Sequence, residues 1–242
     1  MGFKNSSEIS EQFSQIFETI KKLPQHPCRR CGTLQRTYES DIICYSCQEE
    51  EERACAERRR KACQIETLLR LSNIPKRYKN AIFKPKTAIQ EQTIDYLKQN
   101  FNKKLLTESS DTLLFGSIGT GKTYLGCAFA LEAIKTRQIG VRYITEYALL
   151  SLYFEKEYET FKKFKSCDIL IIDEIGKRIL AEWQRVQLEE LLSHRYNEML
   201  PTIYITNLEQ KAFKDFLGSR LADRLRENHL KRFTFDGESL RG

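Results

Sequence analysis

The feature that most constrains this 242-residue chain is a glycine-rich segment, GSIGTGKT, made of Gly116, Ser117, Ile118, Gly119, Thr120, Gly121, Lys122 and Thr123. It fits the pattern G-x-x-x-x-G-K-T and directly follows an apolar run at 113–115. In such a loop, backbone N–H groups surround nucleotide phosphates, the lysine supplies a positive charge and the threonine hydroxyl binds Mg²⁺. The segment therefore predicts a phosphate-binding loop between a strand and a helix.

A second strand, at 169–172, ends in the carboxylates of Asp173 and Glu174. Its position predicts that Asp173 holds Mg²⁺ and that Glu174 acts as a general base by polarising the attacking water. An Asp-Glu pair at this place favours hydrolysis over transfer of a phosphoryl group to a second substrate. A small-molecule kinase is therefore the weaker alternative.

Three further polar residues are candidates for the same chemistry. Asn207 follows the strand-like run 203–206, where it can orient the water or sense the γ-phosphate, or else cap the next helix. Arg220 and Arg224 lie four residues apart and hence on one helical face. Arginines so placed could reach the γ-phosphate of a neighbouring subunit and stabilise the charge of the transition state.

From residue 90 onward, strand-like and helix-like segments alternate. The predicted strands are 112–115, 141–144, 169–172 and 203–206, with a possible last strand at 233–235. Alternation of this kind predicts an α/β domain with a mostly parallel sheet covered by helices on both faces.

Four of the eight cysteines form two C-x-x-C pairs separated by 12 residues: Cys28, Cys31, Cys44 and Cys47. Two such pairs suit one tetrahedral Zn²⁺ held by four thiolates, which leaves no open position for chemistry and so predicts a structural site. His26 is a less favoured substitute ligand. A disulfide or redox pair is the weaker alternative, since a redox C-x-x-C normally occurs alone.

The segment before residue 72 has its own pattern. An amphipathic helix is predicted at 7–23, whose apolar stripe either packs on the zinc module or docks on a partner. A charged helix is predicted at 48–71, and Pro75 and Pro85 mark a boundary near residue 72. We therefore expect an N-terminal module at 1–71 and an ATPase domain at 72–242.

Charge and hydropathy narrow the classes of partner and compartment. Residues 1–71 hold 12 basic and 11 acidic residues, and residues 72–242 hold 28 and 22, so the excess positive charge lies in the larger domain. Such an excess suits a polyanion such as nucleic acid.

No apolar run approaches the roughly 20 residues of a membrane span, and the N-terminus lacks a secretory signal. We expect a cytoplasmic protein with no membrane partner.

The motifs GSIGTGKT, ILIIDEIG, YITN, GSRLADRLRE and FDGESLR together resemble the DnaC/DnaI-type helicase loaders, a family of AAA+ ATPases that includes the IstB-like transposition helpers. The resemblance covers residues 72–242. It implies a Mg²⁺-dependent, DNA-stimulated ATPase that loads a hexameric DnaB-type replicative helicase onto single-stranded DNA. It also implies that Asn207 is the sensor 1 residue, that Arg224 is an arginine finger acting in trans with Arg220 beside it, and that Arg241 is the sensor 2 arginine.

The same resemblance implies roles outside the ATP site. DnaI-type loaders carry a zinc-bearing N-terminal domain, so residues 1–71 are expected to bind the helicase, and segments near Tyr147 and Trp183 are expected to touch single-stranded DNA. Both aromatic residues could instead pack in the core. Two alternatives remain for the whole chain: an IstB-like helper that delivers target DNA to a transposase, and a zinc-dependent nucleic-acid adaptor whose ATP site binds nucleotide but seldom turns it over.

Overall fold

The computed structural model describes residues 6–37, 39, 42–100, 111–227 and 230–240, with side chains from residue 14 onward. The chain divides into two compact units, Met1–Ala62 and Cys63–Gly242. This division falls earlier in the chain than the expected boundary at residue 72, inside a long helix. Within the described residues, no helix is both long enough and apolar enough to cross a membrane.

The first unit begins with helix α1, Ser6–Lys21, and contains a short antiparallel ribbon of β1, Gln25–Pro27, and β2, Leu34–Arg36. Helix α2, Tyr45–Leu71, starts in this unit. On α1, the described apolar side chains Ile16, Phe17 and Ile20 are exposed. The buried apolar cluster described in this unit consists of Cys28, Cys44 and Cys47, with Ile43 against it. The described part of the α1 stripe therefore does not pack on the cysteine module.

The second unit is an alternating α/β domain. After a 3₁₀ turn at Lys76–Tyr78, its helices are α3, Ala88–Asn100; α4, Lys122–Arg137; α5, Glu146–Phe154; α6, Tyr158–Lys165; α7, Glu182–Asn197; α8, Gln210–Leu217; and α9, Ser219–Glu227. Its strands are β3, Thr112–Gly116; β4, Val141–Thr145; β5, Ile169–Asp173; β6, Thr202–Ile205; and β7, Lys231–Phe235.

The five strands form one parallel sheet in the order β4-β5-β6-β3-β7. This confirms the predicted α/β class, and each predicted strand appears with its ends within two residues of the expected positions. Strands β5 and β6 are buried along their whole length, as expected of a parallel sheet covered on both faces.

Side chains alternate between two cores because successive residues of a strand face opposite sides of the sheet. On β3, Leu114 packs in one core with residues of α3 and α4, such as Leu97 and Ile134. Its neighbour Leu113 packs in the other core with residues of α6 and α7, such as Phe164 and Leu191. The sheet is thus sandwiched between two helical layers.

The most deeply buried of the described charged side chains in the second unit belongs to an arginine. Arg195 of α7 is 1% exposed, and its guanidinium donates to the Thr202 hydroxyl and to the carbonyl oxygens of Phe164, Lys165, Cys167 and Pro201 at 2.7–3.2 Å. The arginine therefore ties the end of α6 and the entries to β5 and β6 to one point. Sequence reasoning did not identify it.

The topology determines where a ligand can bind. In an open parallel sheet, ligands bind at the carboxyl ends of the strands, where the strand order reverses. The glycine-rich loop follows β3, Asp173 ends β5 and Asn207 follows β6, and these three strands are neighbours in the sheet. The elements predicted to carry chemistry thus meet at one edge.

Candidate ATP site and cysteine cluster

The glycine-rich loop needs glycine at specific positions. Gly116, Gly119 and Gly121 have φ angles of 119°, 84° and 88°, in the left-handed region that favours glycine. A Cβ added to Gly116 would lie 2.5 Å from the carbonyl oxygen of Phe235, and one added to Gly121 would lie 2.9 Å from Nε2 of Gln90. Backbone conformation therefore disfavours larger residues at all three positions, and close packing against the backbone of Phe235 also excludes them at Gly116.

The loop is held by neighbours that are distant in sequence. Gln90, buried on α3, donates from Nε2 to the Thr120 carbonyl at 3.0 Å and accepts from the Lys86 N–H at 2.8 Å. The Leu240 N–H donates to the Gly119 carbonyl at 3.0 Å, and the Ser117 N–H donates to that of Phe235 at 2.9 Å. No local pattern marks Gln90, because its role depends on a contact 30 residues away.

Lys122 lies at the first position of α4, where the helix dipole favours an anion. Its ammonium group donates to the carbonyl oxygens of Gly116 at 2.9 Å and Ser117 at 2.7 Å, and the residue is buried. The positive charge is therefore placed at the loop that is predicted to surround phosphate groups.

The predicted Mg²⁺ ligands are in contact with each other. The Thr123 hydroxyl donates to Oδ2 of Asp173 at 2.8 Å, the Tyr143 hydroxyl donates to the same oxygen at 2.6 Å, and the Glu174 N–H donates to Oδ1 at 2.8 Å. A hydroxyl and a carboxylate are oxygen ligands of the kind Mg²⁺ prefers, with waters completing its shell. This donor set fits Mg²⁺. Burial, and then the Asp173 charge, raise the pKa of Tyr143 well above its ordinary value, so its hydroxyl stays a donor.

Glu174 follows directly with a φ of 55°, which turns the chain away from the strand direction. Its Oε1 atom accepts from the Lys177 ammonium at 2.9 Å in a half-exposed ion pair. The carboxylate lies beside the Asp173 site at the wall of a cavity. This is where a group that activates water is needed.

Asn207 also lines this cavity and is exposed. Helix α8 has Glu209 as its N-cap residue, so Asn207 does not cap it. The preceding residue, Thr206, fixes the loop because its hydroxyl donates to the Ile175 carbonyl at 2.7 Å. The end of β6 is thereby tied to the segment after β5.

The cavity has a volume of about 670 Å³, within the range of small-molecule and cofactor sites. The predicted site residues in its lining are Ile118, Gly119, Thr120, Gly121, Lys122, Thr123, Asp173, Glu174 and Asn207. Tyr78, Lys84 and Tyr124 contribute another part of the wall, which the sequence did not predict. The structure thus brings together the phosphate loop, the two carboxylates and the asparagine.

The predicted arginine fingers lie elsewhere, on α9. Arg220 pairs with Glu189 at 3.2 Å on the surface. The Arg224 guanidinium lies 5.5 Å from the centre of the Tyr196 ring, and its buried NH1 atom has no hydrogen-bond partner in the part of the chain that the structure describes. Neither residue lines the cavity of its own chain. Arg241 lies outside the described residues.

The four predicted zinc ligands converge in the first unit. The ligand atoms of Cys28, Cys31, Cys44 and Cys47 all lie within 4.8 Å of one another, and the sulfurs of Cys31 and Cys44 are 3.6 Å apart. Four sulfurs at about 2.3 Å from a tetrahedral ion would be roughly 3.8 Å apart. This donor set fits Zn²⁺, and His26 is not part of the cluster.

Backbone N–H groups support the cluster. Hydrogen bonds from the N–H groups of Cys44, Cys31 and Arg30 lower the pKa of Cys28 to about 6, and metal binding requires the thiolate form. The hydrogen bond with Cys44, followed by burial, raises the pKa of Cys47 to about 12. A divalent cation would offset the repulsion between neighbouring thiolates.

The two predicted DNA-contact residues lie on α5 and α7. Tyr147 is 58% exposed, and the Arg178 guanidinium stands 4.2 Å from its ring centre. Trp183 is 40% exposed and contacts the rings of Tyr153 and Phe154, at centroid distances of 6.4 and 6.0 Å. Tyr147 is therefore a surface residue, whereas Trp183 is partly packed.

Known proteins resemble this chain over most of its length. The family model described as IstB-like ATP binding protein matches residues 45–241. A curated relative is the replicative helicase loader DnaC of Buchnera aphidicola subsp. Baizongia pistaciae. It is 24% identical over an alignment 252 residues long, which covers 92% of this chain and 95% of that protein.

Solved structures have the same fold. The crystal structure of the DnaC helicase loader aligns with a TM-score of 0.57 and 26% identity, over 67% of this chain and 100% of that one. The crystal structure of the DnaI aligns with a TM-score of 0.59 and 18% identity, over 72% and 99% of the two chains. These matches confirm the resemblance found in the sequence motifs.

Proposed function

Because this chain belongs to the family of IstB-like ATP-binding proteins, we propose that it is an ATPase that loads a hexameric DnaB-type replicative helicase onto single-stranded DNA. The observation that carries the ATPase part is the convergence of Lys122, Thr123, Asp173 and Glu174 on one cavity. The loader part is supported by a relative named as a replicative helicase loader, which aligns with nearly the whole chain.

The loop, Lys122 and four further residues of the cavity have distinct roles in this proposal. The loop N–H groups and the N-terminus of α4 bind the phosphates of ATP, and Lys122 shifts its hydrogen bonds from the loop carbonyls to phosphate oxygens. Thr123 and Asp173 hold Mg²⁺, which supplies charge neutralisation at the phosphates. Glu174 takes a proton from the attacking water, and Asn207 orients that water or the γ-phosphate.

Hydrolysis in this proposal needs a second subunit. A phosphoryl-transfer site gains from an arginine that stabilises the charge of the transition state, and Arg220 and Arg224 do not line the cavity of their own chain. The buried NH1 atom of Arg224 has no hydrogen-bond partner among the described residues of its own chain. We propose that Arg224, with Arg220 beside it, completes the site of the adjacent subunit, so that ATP acts as a switch between subunits.

Single-stranded DNA is proposed to bind near α5 and α7. Exposed aromatic rings stack on bases with little sequence preference, and arginines add contacts to the backbone and to the rings. Tyr147 with Arg178 above its ring provides both elements, and Trp183 lies on a neighbouring helix. The excess positive charge of residues 72–242 is consistent with this partner.

The first unit is proposed to bind the helicase. It presents Ile16, Phe17 and Ile20 at the surface of α1, and exposed apolar residues in a row typically mark a protein interface. The four cysteines are proposed to bind Zn²⁺ and to stabilise the module that carries this helix. Four thiolates fill the positions of a tetrahedral ion and leave none open, so the proposed role of zinc is structural.

ATP hydrolysis by the full chain, with and without single-stranded DNA, tests the enzymatic part. We expect phosphate release that DNA stimulates and that Glu174→Gln abolishes while ATP binding remains. Glu198→Gln, an exposed glutamate outside the cavity, is the matched control and should behave as the wild type. If Glu174→Gln left every activity unchanged, the chain would be a nucleic-acid adaptor whose ATP site seldom turns over.

Capture of a partner by the full chain tests the loader part. We expect a stable complex with the replicative helicase of the same host, and none with a transposase. DNA-stimulated hydrolysis combined with capture of a transposase alone would identify the alternative function, a helper that delivers target DNA in transposition.

A further inference from the structure

The Asp173 carboxylate receives a hydrogen bond that the phosphate-loop pattern does not include. Tyr143 lies on β4, where the register pairs it with Ile171 and pairs Thr145 with Asp173. Alternate residues of a strand face one side, so Tyr143 and Asp173 share a face of the sheet and are diagonal neighbours. The tyrosine hydroxyl spans this diagonal and donates to Oδ2 of Asp173 at 2.6 Å.

The three donors to Asp173 come from three different places in the chain. Thr123 follows the phosphate loop, the Glu174 N–H is adjacent in sequence, and Tyr143 reaches in from the neighbouring strand. Thr123 is itself a proposed Mg²⁺ ligand, so its hydrogen bond to Asp173 is not reserved for orienting the carboxylate. Two of the three donors are side chains, Thr123 and Tyr143. Of these two, Tyr143 is the one that is not a proposed Mg²⁺ ligand.

We propose that Tyr143 is a positioning residue for Mg²⁺, whose hydroxyl holds the Asp173 carboxylate in the orientation that receives the ion or its bound water. This inference rests on the proposed function of the site as an ATPase. A hydrogen bond to a metal-binding carboxylate fixes its direction and its basicity, and loss of such a partner typically lowers metal affinity about 10- to 100-fold.

The ring and the hydroxyl of Tyr143 have separable roles. The ring belongs to the core that contains Ile171 and Cys127, and phenylalanine would preserve that packing. The chain also offers a matched control in Tyr204, a buried tyrosine on β6 whose hydroxyl lies 3.5 Å from Oδ2 of Asp111. Tyr204→Phe removes a buried hydroxyl beside an aspartate that is not at the cavity.

Binding of a fluorescent, non-hydrolysable ATP analogue to the full chain tests the inference. Affinity is measured in EDTA and then as Mg²⁺ is added. We expect Tyr143→Phe to bind the analogue in EDTA as the wild type does, and to need about tenfold more Mg²⁺ for the half-maximal gain in affinity. Tyr204→Phe should need no more Mg²⁺ than the wild type.

The outcomes separate the two proposals. A Tyr143→Phe chain with the Mg²⁺ requirement of the wild type would overturn the inference and leave the proposed function intact. Equal losses of affinity in EDTA and in Mg²⁺ would also overturn it, since they would show a general effect on the site. A wild-type chain that bound no nucleotide would overturn the proposed function, and the inference with it.

Discussion

In the unit Cys63–Gly242, two apolar cores enclose a five-stranded sheet, whereas the buried apolar cluster described in Met1–Ala62 consists of three cysteines. A module of about 60 residues is marginal without a large core, and metals commonly substitute for one. The larger unit has a sufficient core, but its cavity lacks the predicted arginine fingers. One unit is therefore expected to need an ion to fold, and the other a neighbour to catalyse.

The largest expected effect tests the first half of this comparison. Cys44→Ser should remove zinc from the module, whose binding free energy in small zinc domains is about 10–16 kcal/mol, and so unfold Met1–Ala62. The chain has one tryptophan, Trp183, and its fluorescence reports only on the larger unit. We expect protease cleavage within the first unit and loss of helicase capture, with an unchanged unfolding transition of Trp183.

The control for this experiment is Cys63→Ser, which removes an exposed cysteine outside the cluster. It should retain zinc, resist protease and capture the helicase. If Cys44→Ser also resisted protease, the first unit would be stable without metal, and the contrast between the two units would be lost.

The second effect tests whether the larger unit is catalytically incomplete. Arg224→Ala should reduce hydrolysis about 10³-fold, the lower range for loss of an arginine finger, while ATP affinity stays unchanged. Lys122→Ala should instead abolish ATP binding. A mixture of the two variants should recover part of the hydrolysis, because the Lys122→Ala subunit still offers its arginine to the intact cavity of the other.

Failure of the mixture to recover activity, when each variant alone is folded and associates, would contradict a finger acting in trans. Normal hydrolysis by Arg224→Ala alone would contradict any catalytic role for this arginine. Arg226→Ala, two residues further along α9, is the control, since Arg226 is exposed and pairs with Asp223 on the same helix.

The third effect asks whether apolar packing alone stabilises the larger unit. Arg195→Met would remove the buried donor to the Thr202 hydroxyl and to the carbonyl oxygens of Lys165 and Cys167, and each unsatisfied group costs about 1–3 kcal/mol. We expect the free energy of unfolding reported by Trp183 to fall by at least about 3 kcal/mol. Arg185→Met, on the exposed side of the same helix, should change it by less than about 0.5 kcal/mol.

The sequence predicted those features that local patterns determine. Strand order along the chain, the loop from Gly116 to Thr123 and the carboxylates after β5 follow from apolar runs and from the glycine pattern, and the structure brings them to one cavity. The cysteine cluster follows from spacing alone, because two C-x-x-C pairs restrict where four sulfurs can meet.

The residues that escaped prediction act through contacts between distant elements. Gln90, Tyr143 and Arg195 look like ordinary helix or strand residues in sequence, and only the packed sheet brings them to the phosphate loop, to Asp173 and to the strand entries. The exposure of Phe17 is a similar case. An amphipathic stripe predicts that a helix has an apolar face, and the neighbours present in the fold decide whether that face is covered.

The smallest expected effect tests whether the two units hold different partners. Phe17→Ala should weaken helicase binding by about 2 kcal/mol, the scale for an aromatic residue central to an interface, and should leave stimulation by DNA unchanged. Tyr147→Ala should weaken DNA binding and leave helicase binding unchanged, since stacking on one base contributes about 1–3 kcal/mol. Both side chains are more than half exposed, so neither change should unfold the chain.

Affinity for the helicase and the DNA concentration for half-maximal hydrolysis are measured for both variants. If either substitution shifted both quantities, the helicase and DNA sites would be energetically coupled, and the assignment of one partner to each unit would be wrong.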